Sequence, residues 1–304
     1  MESRLHDQMN GDHDHIVPEP GPEPGPVPLE RVSIGDGLTV WQAVSLRRHG
    51  VLHAFTTRHG GSSTGPRESL DLAGRGSREG RSLAAAEENL SRLRERLGVH
   101  GSTRTVMLHQ VHGNGVHEDD GTGPTWPPPK ADILVSSRSD ALLMVRVADC
   151  VPILLHDPGT GAAAAIHSGW RGTVARAPGH AIRTLVANHR SEPDRLIAAI
   201  GPAIGVDRFE VGPEVADRFE AEGLGLHVRR GPGKPRIDLH GAVRQILVEA
   251  GVRPGSIEGV PFCTHSNPGE CFSYRRDGPD GGRMAAVITP VGSPTVADEI
   301  ANRS

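Results

Sequence analysis

Three side chains in the middle of the sequence could do chemistry together: His112 in HQVHG, Cys150 at the end of VADC, and His167 at the end of AAAAIH. Imidazole, thiolate and imidazole are good ligands for zinc, and a catalytic zinc site keeps three protein ligands and one open position. Spacings of 38 and 17 residues match no closely spaced zinc-finger or zinc-ribbon pattern. Spacing alone therefore leaves other readings open. Cys150 with His167 as its base could be a metal-free nucleophile pair. Cys150 could also be an inert buried thiol, and His112 a hydrogen-bonded turn histidine. Arg171, in GWRGT just after His167, leads toward an expected helix, where a guanidinium and free backbone amides suit a phosphate or carboxylate. A surface acid could instead pair with it. Pro178-Gly179 follow so closely that the helix is either kinked or begins only near Pro178.

Two further segments read as site loops. HAFTTRHGGSS (53–63) presents Arg58 and His59 before paired glycines, and CTHSNPGECFSYRRDG (263–278) carries Tyr274, Arg275 and Arg276, with Arg283 soon after. Basic groups beside an aromatic could hold a nucleobase or phosphate. A solvated charged turn would look the same.

The three central residues each fall where an expected strand gives way to a turn. RTVML precedes His112; ALLMVRV (141–147) and VPILLH (151–156) flank Cys150; residues 162–167 end on His167. ILVSS (133–137) and LIAAIG (196–201) are further short apolar runs, as expected of strands covered on both faces. Leu83, Ala86, Leu90, Leu93 and Leu97 predict a helix over 82–97, with Ser82 as cap and Gly98 as stop. Asp238 caps a second helix over 239–250, with Leu239, Ala242, Val243, Ile246 and Leu247 inward; Pro213 and Gly223 frame a third. The expected fold class is α/β (α+β): a layered domain of mixed β-sheets flanked by helices.

Residues 33–291 are expected to form one catalytic domain. PEPGPEPGPVP (18–28) and the DHDH run at 12–15 place residues 1–32 in an unpacked extension, and 292–304 read as a loose tail. A net charge of -4 and a pI near 6.5 leave no basic footprint for nucleic acid. No apolar run approaches the roughly 20 residues of a membrane span. Three cysteines are too few for a disulfide scaffold, and the polar, acidic start is unlike a secretory signal, so a cytoplasmic address is expected.

Taken together, HAFTTRHGG…SLDL, HQVHG, ADILVSS, VADCVPILL, AAIHSGWRGT, IGPAIG…FEVG, CTHSNPGECFSYRRDG and GRMAAVI resemble, in order, the laccase-domain (multicopper polyphenol oxidoreductase) family over residues 53–288. The resemblance implies a single domain of cysteine-hydrolase-like, mixed-sheet architecture. It also implies a metal site, usually described as zinc, on His112, Cys150 and His167. It implies phosphorolysis of purine nucleosides (adenosine, inosine, methylthioadenosine) with inorganic phosphate, and adenosine deamination. Other members are described as editing factors for peptidoglycan precursors, a reaction Cys150 and His167 could serve as a hydrolase, and earlier ones as copper-dependent laccases. Copper is a possible occupant, because Cu(II) outcompetes zinc at most N/S sites. Outside DHDH at 12–15, however, the sequence has no HxH or HCH patterns of the sort that build blue multicopper centres. Asp71 in SLDL, Phe209 in FEVG, the Asp207-Arg208 turn and the 74–81 stretch depart from the family pattern without touching the three presumed ligands.

Overall fold

The computed structural model describes residues 28–74, 83–99, 101–122, 127–259 and 262–290. The DHDH run, most of the proline-rich segment, Ser82 and the expected tail lie outside these. The described chain forms two six-stranded mixed sheets. The first runs, in spatial order, Glu30–Gly35, Leu38–Gln42, His53–Thr56, Met284–Ile288, Ala141–Val147 and Arg104–Met107. The second runs Ile257–Gly259, Ile197–Ile200, Val151–His156, Ala163–Ser168, Ile133–Ser136 and Val116–Glu118. Among the described residues the first strand begins at Glu30, slightly before the expected residue 33.

Strand periodicity explains the layering. Side chains alternate between faces, and in Ala141–Val147 the pair Leu143/Val145 enters a core between the sheets while Leu142/Met144 enters a second core outside. In Ala163–Ser168, Ala163 and Ala165 face the first sheet, and Ala164 and Ile166 face helices. Both of these strands are therefore apolar on both faces, which is why their sequences read as continuous runs. Helices Ala177–His189, Pro213–Ala221 and Leu239–Glu249 cover the second sheet; Leu83–Arg96 covers the first.

The three expected helices are present. Asp238 accepts the Gly241 amide at 3.0 Å, and all five expected inward residues of Leu239–Glu249 are buried. In Leu83–Arg96 the inward stripe is narrower than expected. Ala86 and Leu93 are buried, but Leu83 is 46% exposed. The polar Asn89 takes a buried place instead, bonding Ser62, Ser63, Ser69 and Asp71 and so fixing the 61–71 loop. The chain after His167 forms a five-residue helix, Trp170–Val174, then turns through left-handed Arg176 (φ 55°) into Ala177–His189. Of the two expected outcomes, the long helix starts beside Pro178, where a proline costs no hydrogen bond.

Candidate metal centre

The strand pattern carries His167 to the seam between the sheets. It follows Ala163 and Ala165 on the face turned toward the first sheet, and it pairs in register with Pro152. Cys150 lies in the link where the chain leaves Ala141–Val147 of the first sheet for Val151–His156 of the second. His112 arrives from the turn after Arg104–Met107. Among the described residues these three are the set whose ligand atoms converge, all within 4.8 Å of one another. Their rings and thiol grade from buried His167 through half-buried Cys150 to exposed His112, so the set opens outward. The two imidazoles meet edge to face, with centroids 4.8 Å apart.

Two features allow the approach. Gly169 lies against the pair, and a β-carbon there would fall 3.0 Å from Cys150 Sγ and 3.2 Å from the His112 ring. His112 itself has left-handed backbone (φ 63°), uncommon for a side chain of its size. The buried carboxylate of Asp132 holds that turn. Its Oδ2 accepts the amides of Gly113 at 2.7 Å and Val111 at 3.2 Å, and its Oδ1 accepts the His112 amide at 2.9 Å. Oδ1 also lies 2.8 Å from His167 Nδ1. With Nδ1 so engaged, Nε2 of His167 is left for the thiol or a metal. Burial works to raise the Asp132 carboxyl, but the His167 bond and the amides outweigh it and hold it below the ordinary range.

Burial would likewise raise the Cys150 thiol. The charge of His167 and the bonds from both imidazoles prevail and bring it down to about 6. Burial would lower His167; the Cys150 thiolate and Asp132 prevail and raise it to about 9. A thiolate is the form that binds a metal or attacks carbon. The donors also fit a metal. Two nitrogens and a sulfur around zinc sit roughly 3.5 Å apart when bonds are near 2.0–2.3 Å, a contraction of the set that a small turn of exposed His112 would provide.

The triad forms part of the wall of a cavity of about 560 Å³. Arg171, Arg275, Arg283 and Arg146 also line it, as do Trp170 and Tyr274. Of the arginines expected from sequence, Arg171 and Arg275 are therefore brought to the site, and Arg58 and Arg276 are not. Arg58 lies over the Phe272 ring at 4.7 Å and donates to the carbonyls of Glu68 and Pro268. Arg276 donates to the carbonyls of Thr264, His265 and Cys271. Both hold loops together. The short helix around Arg171 has no side-chain cap, so its contribution is the guanidinium, stacked 4.4 Å from the centre of the Trp170 ring.

Sequence reasoning passed over Asp132 and Asp149. Asp149, with φ 92°, accepts the hydroxyls of Thr264 and Ser273 and the Arg275 amide, tying the 263–277 loop to Cys150. An acid at the edge of a buried strand, as in ADILV and VADC, is the signal that could have found both, since such a group must have donors.

A sequence profile of the family described as multi-copper polyphenol oxidoreductase laccase matches residues 52–290. The chain belongs to that family. It is 40% identical over 252 residues to a protein of Deinococcus radiodurans named purine nucleoside phosphorylase, spanning 83% of this chain and 93% of that one. It is 35% identical over 244 residues to Escherichia coli purine nucleoside phosphorylase YfiH, spanning 79% and 93%. Among solved structures, YlmD of Geobacillus stearothermophilus superposes with a TM-score of 0.78 at 31% identity, over 86% of this chain and 99% of that one. Bacillus licheniformis YfiH gives 0.78 at 25%, over 85% and 98%. The laccase-domain fold expected from sequence is thus present, with its mixed sheets and flanking helices. No helix among the described residues is long and apolar enough to cross a membrane.

Proposed function

We propose that this laccase-domain chain is a cytoplasmic, zinc-dependent purine nucleoside phosphorylase acting on adenosine, inosine and methylthioadenosine, with residues 33–291 as its catalytic domain. One observation carries the reading: the His112–Cys150–His167 donor set forms one wall of a cavity that arginines also line. The relatives named purine nucleoside phosphorylase support it. In the reaction a phosphate oxygen forms a bond to ribose C1′ while the C1′–N9 bond breaks. The electron pair passes to N9, and the proton that the attacking hydrogen phosphate gives up goes to the purine, giving free purine and ribose 1-phosphate. When bound, zinc on the three ligands supplies Lewis acidity at the open face of the set. The protein's own groups do the rest. Asp132 orients His167, the arginine side chains attract the phosphate dianion, and Trp170 and Tyr274 offer flat apolar surface to a base. Adenosine deamination belongs to the same proposal, since three protein ligands leave a coordination position open.

The test is to incubate metal-loaded protein with adenosine or inosine and phosphate, and to measure adenine, hypoxanthine, inosine and ribose 1-phosphate. The reading fails if the wild type turns nothing over, or if Cys150→Ala turns over fully.

A second reading rests on the Cys150–His167–Asp132 succession, which has the order of a cysteine hydrolase triad: nucleophile, base and the acid that orients the base. A peptidoglycan-precursor hydrolase built on it would keep its activity in chelator and lose it to thiol alkylation. A chelator-sensitive activity rules that reading out.

A further inference from the structure

We propose that Arg283 is the phosphate grip of this cavity, with the Nε–Nη2 edge of its guanidinium as the binding element and Arg171 as a second cation. The proposal rests on the phosphorylase reading and adds to it the site of the second substrate.

The arginines that line the cavity differ in how many of their donors are already engaged. Arg275 gives an N–H to the Glu210 carbonyl and lies over Phe209. Arg146 gives its hydrogens to the carbonyls of Ala73 and Leu108. Arg283 spends both hydrogens of Nη1 on the carbonyls of Gly281 and Gly282, each at 2.9 Å. Its Nε and Nη2 have no partner among the described residues, and neither is among the sealed polar atoms left without one. These two atoms are therefore open to solvent on a half-buried residue that lines the cavity. They form the edge that takes two oxygens of one oxyanion side by side.

The edge is also held in place. Gly281 and Gly282 run so close to Asp277 and Phe272 that a β-carbon would meet them at 2.7 and 2.6 Å, so the two carbonyls that fix Nη1 are themselves fixed. The guanidinium faces the Tyr274 ring at 5.4 Å. No carboxylate among the described residues makes an ion pair with Arg283 or Arg171, and the Arg171 side chain makes no hydrogen bond among them. The acid that lines the cavity, Asp149, has its oxygens taken by Thr264, Ser273 and Arg275. Asp71, whose Oδ1 accepts the Arg283 backbone amide at 2.8 Å, acts on the guanidinium from a distance but makes no ion pair with it. A half-buried cation without a paired carboxylate is costly unless an anion completes it. Arg283 alone would satisfy a carboxylate. A second unpaired guanidinium on the same cavity favours a tetrahedral dianion, which has oxygens left after the bidentate contact.

The test uses the full chain, with inorganic phosphate as the probe, followed by 31P line broadening, and with the KM for phosphate and for inosine measured separately. Arg283→Gln and Arg283→Lys are both needed, because Lys keeps the charge and removes the bidentate edge. Each is expected to weaken phosphate binding roughly 10- to 100-fold and to raise the KM for phosphate by the same factor, with the KM for inosine held. Ribose 1-phosphate is expected to compete with inorganic phosphate on the wild type, marking one subsite for substrate and product. Unchanged phosphate binding in both variants overturns the proposal, as does loss in Arg171→Gln alone. If phosphate binds through Arg283 but inosine is not cleaved, the phosphorylase reading fails and the anion site stands. If inosine is cleaved with an unchanged phosphate KM in both variants, the reading stands and the anion site fails.

Discussion

Asp132 Oδ1 lies 2.8 Å from His167 Nδ1, and the same carboxylate collects three successive amides from the turn that carries His112. One buried acid thus positions two of the three donors. Asn in its place keeps the shape but offers N–H where an amide N–H already points. Asp132→Asn is expected to lower zinc affinity about 10- to 100-fold, read by competition with a chelating dye. Full affinity in a folded variant would show that the turn holds His112 without help.

Much of this was legible in the sequence, and the part that was not has physical causes. His112, Cys150 and His167 could be picked out because each ends an apolar run, and strand ends are where polar groups emerge from a sheet. The strands at 141–147 and 151–156 follow their runs to the residue because both faces are buried. Glu30–Gly35 is exposed or half-buried along its length, so no apolar run marks it, and Val116–Glu118 and Ile257–Gly259 carry too few residues for a period to register. Arginine roles were illegible for another reason. Arg275 and Arg276 are neighbours in sequence, yet one lines the cavity and the other binds loop carbonyls. That choice is made by the path of the 263–277 loop, which Asp149 sets from far along the chain.

Gly169 separates metal geometry from fold. A methyl there meets Cys150 Sγ at 3.0 Å, and Cys150 sits in a link between two buried strands and has little room to yield. The His112 ring, at the exposed end, is the group that will move. Gly169→Ala is expected to cost about 1–3 kcal/mol and to reduce bound zinc below one per chain, measured by metal analysis beside a thermal melt. A variant with full zinc and an unchanged melt would mean that the ligands approach differently.

Acid should destabilise the fold through His53. Its ring is sealed, with Nε2 accepting the Ala43 amide at 2.8 Å and Nδ1 donating to the Val51 carbonyl at 2.8 Å. Burial is the main cause that lowers it from 6.5 to about 4. Between those values the unfolded chain binds a proton that the folded chain does not, so stability falls as pH drops from 6.5 toward 4. The full effect is about 3 kcal/mol. Burial lowers His156 in the same direction, also to about 4. Urea midpoints across this range should fall with pH, and His53→Gln should show a shallower slope. Identical slopes would place the acid sensitivity elsewhere.

Arg276 distinguishes a loop clamp from a substrate contact. Its guanidinium binds three backbone carbonyls, of Thr264, His265 and Cys271, and reaches Asp277 as well. These carbonyls are spread around a turn, and a planar five-donor fork is what spans them. A lysine offers one compact charge and cannot reach all three. Arg276→Ala is therefore expected to cost about 2–3 kcal/mol of stability, and Arg276→Lys to recover little of it. The 263–277 loop also presents Tyr274 and Arg275 to the cavity, so its loosening should raise the KM for both substrates together. Arg275→Ala removes one carbonyl bond and should leave the denaturation midpoint nearly unchanged. If Arg276→Ala instead kept wild-type stability and lost phosphate alone, Arg276 would belong to the substrate site, and the loop would have to be held by Asp149 without it.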